Sequence, residues 1–372
     1  MSSRLAWLIV PVVCLAGGCS SKSKGSSPSA GGSAGASGGG GTTGGAGGGG
    51  GTSGSGGASG TGGASGTGGA SGSGGAAGTC GISLDAGPIG QWPDSLTKFC
   101  AGGSCTAGED GSKQIHVPSF TVNGNEITDA ITGLVWQKDY GPEAEWPDVD
   151  AYCTGLGTNW RVPSRLEVIS LLDHGAGYAV PVEFDAIPGI NANVWTATED
   201  AKNPSGQAWV VSESNGNFGT WGKTGSLSKF RARCVKGPLL TAAPFALDAP
   251  CGVVTSISTG LMWERAPENA KYSWSGALAH CESLSFAGFD DWRVPTAKEL
   301  STIVDDQADS PAISEAVFGT TPPEPYWTST PYQPKPSEAR FINFADGSGY
   351  LFVAPSKPFS ETYRARCVRN LP

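Results

Sequence analysis

The sequence predicts an α+β protein: two tandem copies of one small domain, each two helices plus a small antiparallel sheet, behind a disordered Gly/Ser-rich tether. Three observations predict it. Six short motifs recur in the same order at a nearly constant offset. Within each copy, two helical signatures precede β-type runs split by hairpin turns. The glycine is concentrated upstream, with 28 of the 58 glycines of this 372-residue chain falling in residues 20–79.

The N-terminus reads as an export signal over residues 1–19. Arg4 supplies the positive charge, and residues 5–15 form an apolar run too short to span a bilayer but suited to a signal peptide. The run ends in Leu15-Ala16-Gly17-Gly18-Cys19. Small residues before a cysteine resemble the bacterial lipobox, with leucine one place further upstream than usual. Cys19 is therefore the expected lipidation site, and the expected partner is a membrane, reached through acyl chains. Ser20, rather than aspartate, follows the cysteine, which favours the outer membrane and cell surface.

Residues 20–79 contain no Asp, Glu, aromatic, Val, Leu or Ile. Such a stretch cannot bury apolar surface against the entropy of ordering its backbone. Residues 56–73 repeat with period six (GGASGT, GGASGT, GGASGS), which is not the every-third-glycine pattern of collagen. As a flexible tether, 60 residues have a root-mean-square span of roughly 45 Å.

Residues 80–119 form a cysteine-containing lead-in, and the duplicated region follows. Gly133-Leu134-Val135-Trp136 matches Gly260-Leu261-Met262-Trp263; Trp146 matches Trp274; Cys153 matches Cys281. Trp160-Arg161-Val162-Pro163 matches Trp292-Arg293-Val294-Pro295, and Val194-Trp195-Thr196-Ala197-Thr198 matches Tyr326-Trp327-Thr328-Ser329-Thr330. Arg231-Ala232-Arg233-Cys234-Val235 matches Arg364-Ala365-Arg366-Cys367-Val368. Domain 1 is placed at residues 120–237 and domain 2 at 250–372, joined by a Pro/Ala-rich linker at 238–249.

Each copy begins with one helix face, Val149, Cys153 and Leu156, or Ala277, Cys281 and Leu284. A second helix opens with a capping box, Ser164 with Glu167, or Thr296 with Glu299. Its buried stripe is Val168, Leu171 and Leu172, or Leu300, Ile303 and Val304. Asn215-Gly216 and Asp346-Gly347 are hairpin turns in equivalent places. The duplication then orders the cysteines. Cys14 leaves with the signal and Cys19 takes lipid, so eight remain in an exported chain, where disulfides are expected. Cys153–Cys234 and Cys281–Cys367 recur, each joining the first helix to the last strand. Cys100–Cys105 and Cys80–Cys251 are the pairing expected for the rest.

These six ordered motifs, found twice, resemble the Lcl C-terminal domain family, named for the head of a bacterial collagen-like adhesin. The resemblance covers roughly residues 120–237 and 250–370. It implies ligand binding or adhesion at the cell surface, with sulfated polysaccharide as the adhesin's ligand. The helix-to-last-strand disulfide also resembles the C-type-lectin-like fold, shared by sulfatase-modifying proteins.

Charge argues against a polyanion. The first 79 residues hold three of the chain's 24 basic side chains and none of its 33 acids, so the rest carries a net charge of −12. An acidic surface repels sulfated polymers and nucleic acid alike. Arg231, Arg233, Arg364 and Arg366 are expected as structural ion-pair partners.

Catalytic chemistry finds no constellation. The cysteines are accounted for by disulfides, and the acids do not nominate a pair. Three histidines without metal-ligand spacing give no zinc site, and Glu324-Pro325-Tyr326 lacks the amide of a lectin calcium loop. No cofactor is expected. The paired tryptophans read as core, whereas Trp209 and Trp221, flanking the Asn-Gly turn, are the candidates for exposed ligand contact. The expectation is a non-catalytic surface lipoprotein presenting two domains to an extracellular glycan, matrix or protein ligand. The alternatives are a structural envelope lipoprotein, or an enzyme on a sulfatase-modifying-like fold.

Overall fold

The structure is a computed structural model that describes residues 89–176, 179–185, 192–349, 356–358 and 361–371. The export signal, the Cys19 site, the tether and Cys80 lie outside the described residues.

Copy 1 opens with three strands: β1 (Phe120–Asn123), β2 (Glu126–Asp129) and β3 (Val135–Gln137). Then come β4 (Glu143–Ala144), α1 (Trp146–Gly155), α2 (Arg165–Leu171), β5 (Asn193–Glu199), β6 (Gln207–Ser212), β7 (Phe218–Gly222), β8 (Phe230–Arg231) and β9 (Val235–Lys236). Copy 2 repeats the plan with β10 (Phe245–Asp248), β11 (Val253–Ser256), β12 (Leu261–Glu264), α3 (Trp274–Glu282) and α4 (Ala297–Leu300). It finishes with α5 (Glu315–Phe318), β13 (Pro325–Pro331), β14 (Glu338–Asn343), β15 (Ser356–Pro358) and β16 (Val368–Asn370). The fold is α+β, with few helices and several small sheets.

Two features depart from the expectation of helices followed by one antiparallel sheet. Each copy has two sheets, and the first forms largely before the helices. Its orders are β1-β2-β3-β9 and β10-β11-β12-β16, so the last strand of each copy returns to close the opening meander. The Thr-Gly-Leu motif is the turn of that meander. Gly133 and Gly260 both take φ near +70°, a conformation that favours glycine, and their N–H groups donate to Asp129 and Ser256 carbonyls. Strands of three or four residues are too short to show a period-two pattern, which is why the sequence hides them. The second sheets run β4-β8-β5-β6-β7 and β13-β14-β15. Each contains one parallel contact, Val194 with Arg231 or Tyr326 with Arg364.

The helices are short and held by their ends. Both predicted capping boxes form. The capping glutamates are also clamped: Arg161 forks onto Glu167 at 2.7 and 2.6 Å, and Arg293 onto Glu299 at 2.6 and 2.6 Å. Pro163 and Pro295 carbonyls accept from Ala197 and Ser329. The Trp-Arg-Val-Pro motif therefore welds the second helix to both sheets. Leu156, expected on the α1 face, falls past its last turn and is exposed.

Cys153–Cys234 and Cys281–Cys367 are bonded, with Cα atoms 5.5 and 5.6 Å apart, and Cys100–Cys105 is bonded too. Cys251 is disulfide-bonded, while its expected partner Cys80 lies outside the described residues. Trp136, Trp195, Trp263, Trp292 and Trp327 are fully buried. One apolar cluster joins the copies, running from Leu172 and Phe218 in copy 1 to Val304 and Ile342 in copy 2. Buried cations line the same junction. Arg165 reaches across to Asp306 at 2.7 Å, and Arg340 donates to the Asn215 carbonyl at 2.6 Å.

Candidate functional site

The two candidate tryptophans are not the exposed platforms expected from the sequence. Trp209 is buried at the junction of the copies, with the Arg165 guanidinium 5.0 Å from its ring centre. Trp221 is half-buried and packs edge-on to Phe230. Both follow from strand placement: β6 faces copy 2, and Trp221 pairs with Ala208 beside the copy-1 core.

Two indoles of the repeat pairs are as exposed as Trp221. In copy 2, Trp274 and Trp292 are buried, as expected. In copy 1 their equivalents, Trp146 and Trp160, are half-exposed. Two causes are visible. Between Cys281 and Trp292 copy 2 carries four more residues than copy 1 has between Cys153 and Trp160. These bring Phe286 against Trp292, at 5.7 Å between ring centres. The second cause is the lead-in. Ala101 packs on the copy-2 cluster that contains Trp274, Ala277, Leu278 and Val294. Asp110 accepts from the Thr330 hydroxyl at 2.7 Å, and Lys113 pairs with Glu282 at 2.9 Å. Among the described residues, no lead-in residue packs on the equivalent copy-1 cluster beside Trp146.

What results is a pocket of about 330 Å³ between α1 and β5, lined by Trp146, Val149, Asp150, Arg161, Val162 and Ala197. Pro147 presets the first turn of α1 and so fixes where Trp146 stands. The indole N–H donates to the Thr196 carbonyl at 2.8 Å, and the Lys223 ammonium sits 4.0 Å from the ring centre. Lys223 is itself held by Glu199 and the Pro204 carbonyl. The indole is therefore held in place, with part of its surface packed on the copy-1 core and part lining the pocket. Trp160 carries Lys236 at 4.9 Å. A held indole in an open pocket that also carries Asp150 and Arg161 suits a ring-shaped or apolar ligand.

The strand arginines are structural. Arg233 pairs with Glu213, both fully buried, while Arg231 meets Glu143 and Arg364 meets Glu324. Arg366 forms no salt bridge among the described residues. Its guanidinium donates to the Glu264 and Arg265 carbonyls and the Thr321 hydroxyl. Cys100, Cys105, Cys153, Cys234, Cys251, Cys281 and Cys367 are all in disulfides. Among the described residues no three His, Cys, Asp or Glu side chains gather as a metal site.

Comparison with known proteins adds one finding. The Lcl C-terminal domain family matches residues 125–236 and again residues 252–369, more than half of the chain. The chain belongs to this family. No curated protein matches it. The two Lcl C-terminal domains correspond to the two copies, and the open pocket belongs to the first of them.

Proposed function

We propose that this chain is a non-catalytic lipoprotein, anchored through Cys19 at the outer membrane, whose tandem Lcl C-terminal domains bind an extracellular ligand. The family's adhesin-like role supports this in general terms. The observation that carries the reading is the half-exposed Trp146 beside the 330 Å³ pocket, at a position buried in copy 2. A glycan is favoured, because the apolar face of a sugar ring stacks on an indole. A neutral glycan is favoured over a sulfated one by the net charge of −12 outside the first 79 residues. The helix-to-last-strand disulfides in both copies support a C-type-lectin-like plan.

The test is a glycan and matrix-protein array probed with the full chain and with Trp146→Ala. Binding to one ligand class that the variant loses is expected. No binding across the array, or binding indifferent to Trp146→Ala, would sink the reading. For the anchor, Cys19→Ser should move the chain from the membrane fraction to the soluble one.

A further inference from the structure

The duplication places two equivalent grooves at the junction of the copies, and the described residues fill only one. The filled groove lies between the end of α2 in copy 1 and β13 in copy 2. Residues 95–114 of the lead-in occupy it and leave a void of only about 10 Å³. They hold on by two polar anchors. The Thr97 N–H and hydroxyl both donate to the Asp173 carboxylate, at 3.0 and 2.7 Å. The Asp110 carboxylate accepts from the Thr330 hydroxyl.

The other groove lies between β5 of copy 1 and the end of the second helical segment of copy 2. It is an open cleft of about 490 Å³. Its anchors are the same residue types in the same local geometry. Asp305 corresponds to Asp173. Each uses one carboxylate oxygen to cap the N–H two residues on, Gln307 or Gly175, at 2.9 and 3.2 Å. Each backbone N–H reaches an alanine carbonyl, Ala312 or Ala179. Thr198 corresponds to Thr330, and each hydroxyl accepts a helix-start N–H, from Arg165 or Ala297. Among the described residues the Oδ2 of Asp305 accepts no hydrogen bond and the Thr198 hydroxyl donates none. The linker ahead of copy 2 is too short to repeat the lead-in. It runs along one wall of the cleft from Leu239 to Phe245, with the Leu240 N–H bound to Glu167, and leaves the space between Asp305 and Thr198 open.

We infer that this cleft docks a polypeptide segment of a partner protein, bound as the lead-in is bound in the filled groove. The occupant is a peptide, because a peptide of this chain fills the equivalent site through backbone and side-chain groups together. It offers a Ser or Thr hydroxyl with its N–H to Asp305, and an Asp or Glu carboxylate to Thr198. One wall differs. Leu166 stands where copy 2 has Lys298, whose ammonium holds the Asp94 carbonyl at 2.9 Å. With Leu240 and Val317 it makes that end of the cleft apolar, so the segment brings an apolar residue there.

The probe is a labelled synthetic peptide of residues 95–114 with its Cys100–Cys105 bond formed, titrated into the full chain by fluorescence anisotropy. Saturable binding of one peptide per chain is expected. Asp305→Asn and Thr198→Val should each weaken it about tenfold, the loss of one hydrogen bond to a charged group. Asp150→Asn, in the separate tryptophan pocket, should leave it unchanged. Absence of binding, or binding that neither cleft variant weakens, overturns the proposal. So does a concentration-dependent dimer of the full chain that Asp305→Asn dissolves, since the cleft would then serve a second copy of this chain.

Discussion

In copy 1 the buried strand arginine, Arg233, meets a carboxylate. In copy 2 its equivalent, Arg366, meets carbonyls and a hydroxyl. The Glu213 carboxylate takes three contacts from Arg233 at 2.8–3.0 Å, and Tyr140 donates to it at 2.6 Å. Where copy 1 has Glu213, copy 2 has Phe344. Where copy 1 has Gln137, copy 2 has Glu264. Both of the latter accept the N–H of the disulfide cysteine that follows, at 3.3 and 2.8 Å. The acid has moved across the fold while the arginine stayed. Burial pulls Arg233 down, but Glu213 carries it above its usual range. Burial brings Arg366 down to about 10, still charged at neutral pH. The duplication thus preserved a cationic strut tying the last strand to the loop after the first sheet, and let its counter-charge drift.

The copies should behave alike where their geometry is the same. The two long disulfides close loops of 81 and 86 residues. Each should contribute about 4.5 kcal/mol in the chain-entropy account. Replacing either pair by alanine should lower stability equally in urea melts. The shared apolar cluster also requires a single transition in both variants. Two separated transitions would show that the copies unfold independently.

They should differ at the strand arginines. Glu213→Ala strands a buried guanidinium and should cost about 3–5 kcal/mol. Thr321→Val removes one neutral acceptor from Arg366 and should cost about 1 kcal/mol. Equal losses by denaturant melt would erase the distinction between the two struts.

A smaller contrast sits at the paired indoles. Trp274→Ala empties a packed site and should cost about 3–5 kcal/mol, whereas half-exposed Trp146→Ala should cost about 2 kcal/mol less. If calorimetry finds the two equal, Trp146 is core, and the pocket beside it is not a ligand face.

Much of the scaffold was legible because the sequence states it twice. The capping boxes, the helix-to-last-strand cysteine pairs and the hairpin glycines all depend on neighbours within a few residues or on recurrence. Trp209 and Trp221 were misplaced because their burial depends on how one copy packs on the other and on the strand beside it, which no local pattern encodes. The exposure of Trp160 had a signal: the offset between copies widens by four residues just before Trp292, and those residues bring Phe286. Trp146 had none, since the lead-in that packs on the Trp274 cluster lies far from both copies' motifs in sequence. The opening meander was missed because its strands are no longer than four residues.

The smallest expected effect is a pH dependence of the lead-in, whose Asp110 docks on Thr330 of copy 2. Burial pushes Asp110 up to about 6, opposed by its hydrogen bond from Thr330, with Asp94 and Glu299 raising it further and Lys298 lowering it. The docked state therefore holds the Asp110 proton more tightly than the undocked one. That stabilisation is fully present below about pH 4 and is lost as pH rises through about 6. Lys298, brought down to about 8 by burial, acts in the opposite sense, so docking recovers as pH rises above 8. Hydrogen exchange of the lead-in, corrected for intrinsic rate, should report a loosening on the order of 1–2 kcal/mol between pH 4 and 7. Asp110→Asn should flatten it, and β5 of copy 1, which carries no lead-in, should show none. A pH response of equal size in β5 would mean that the asymmetry between the copies does not arise from the lead-in.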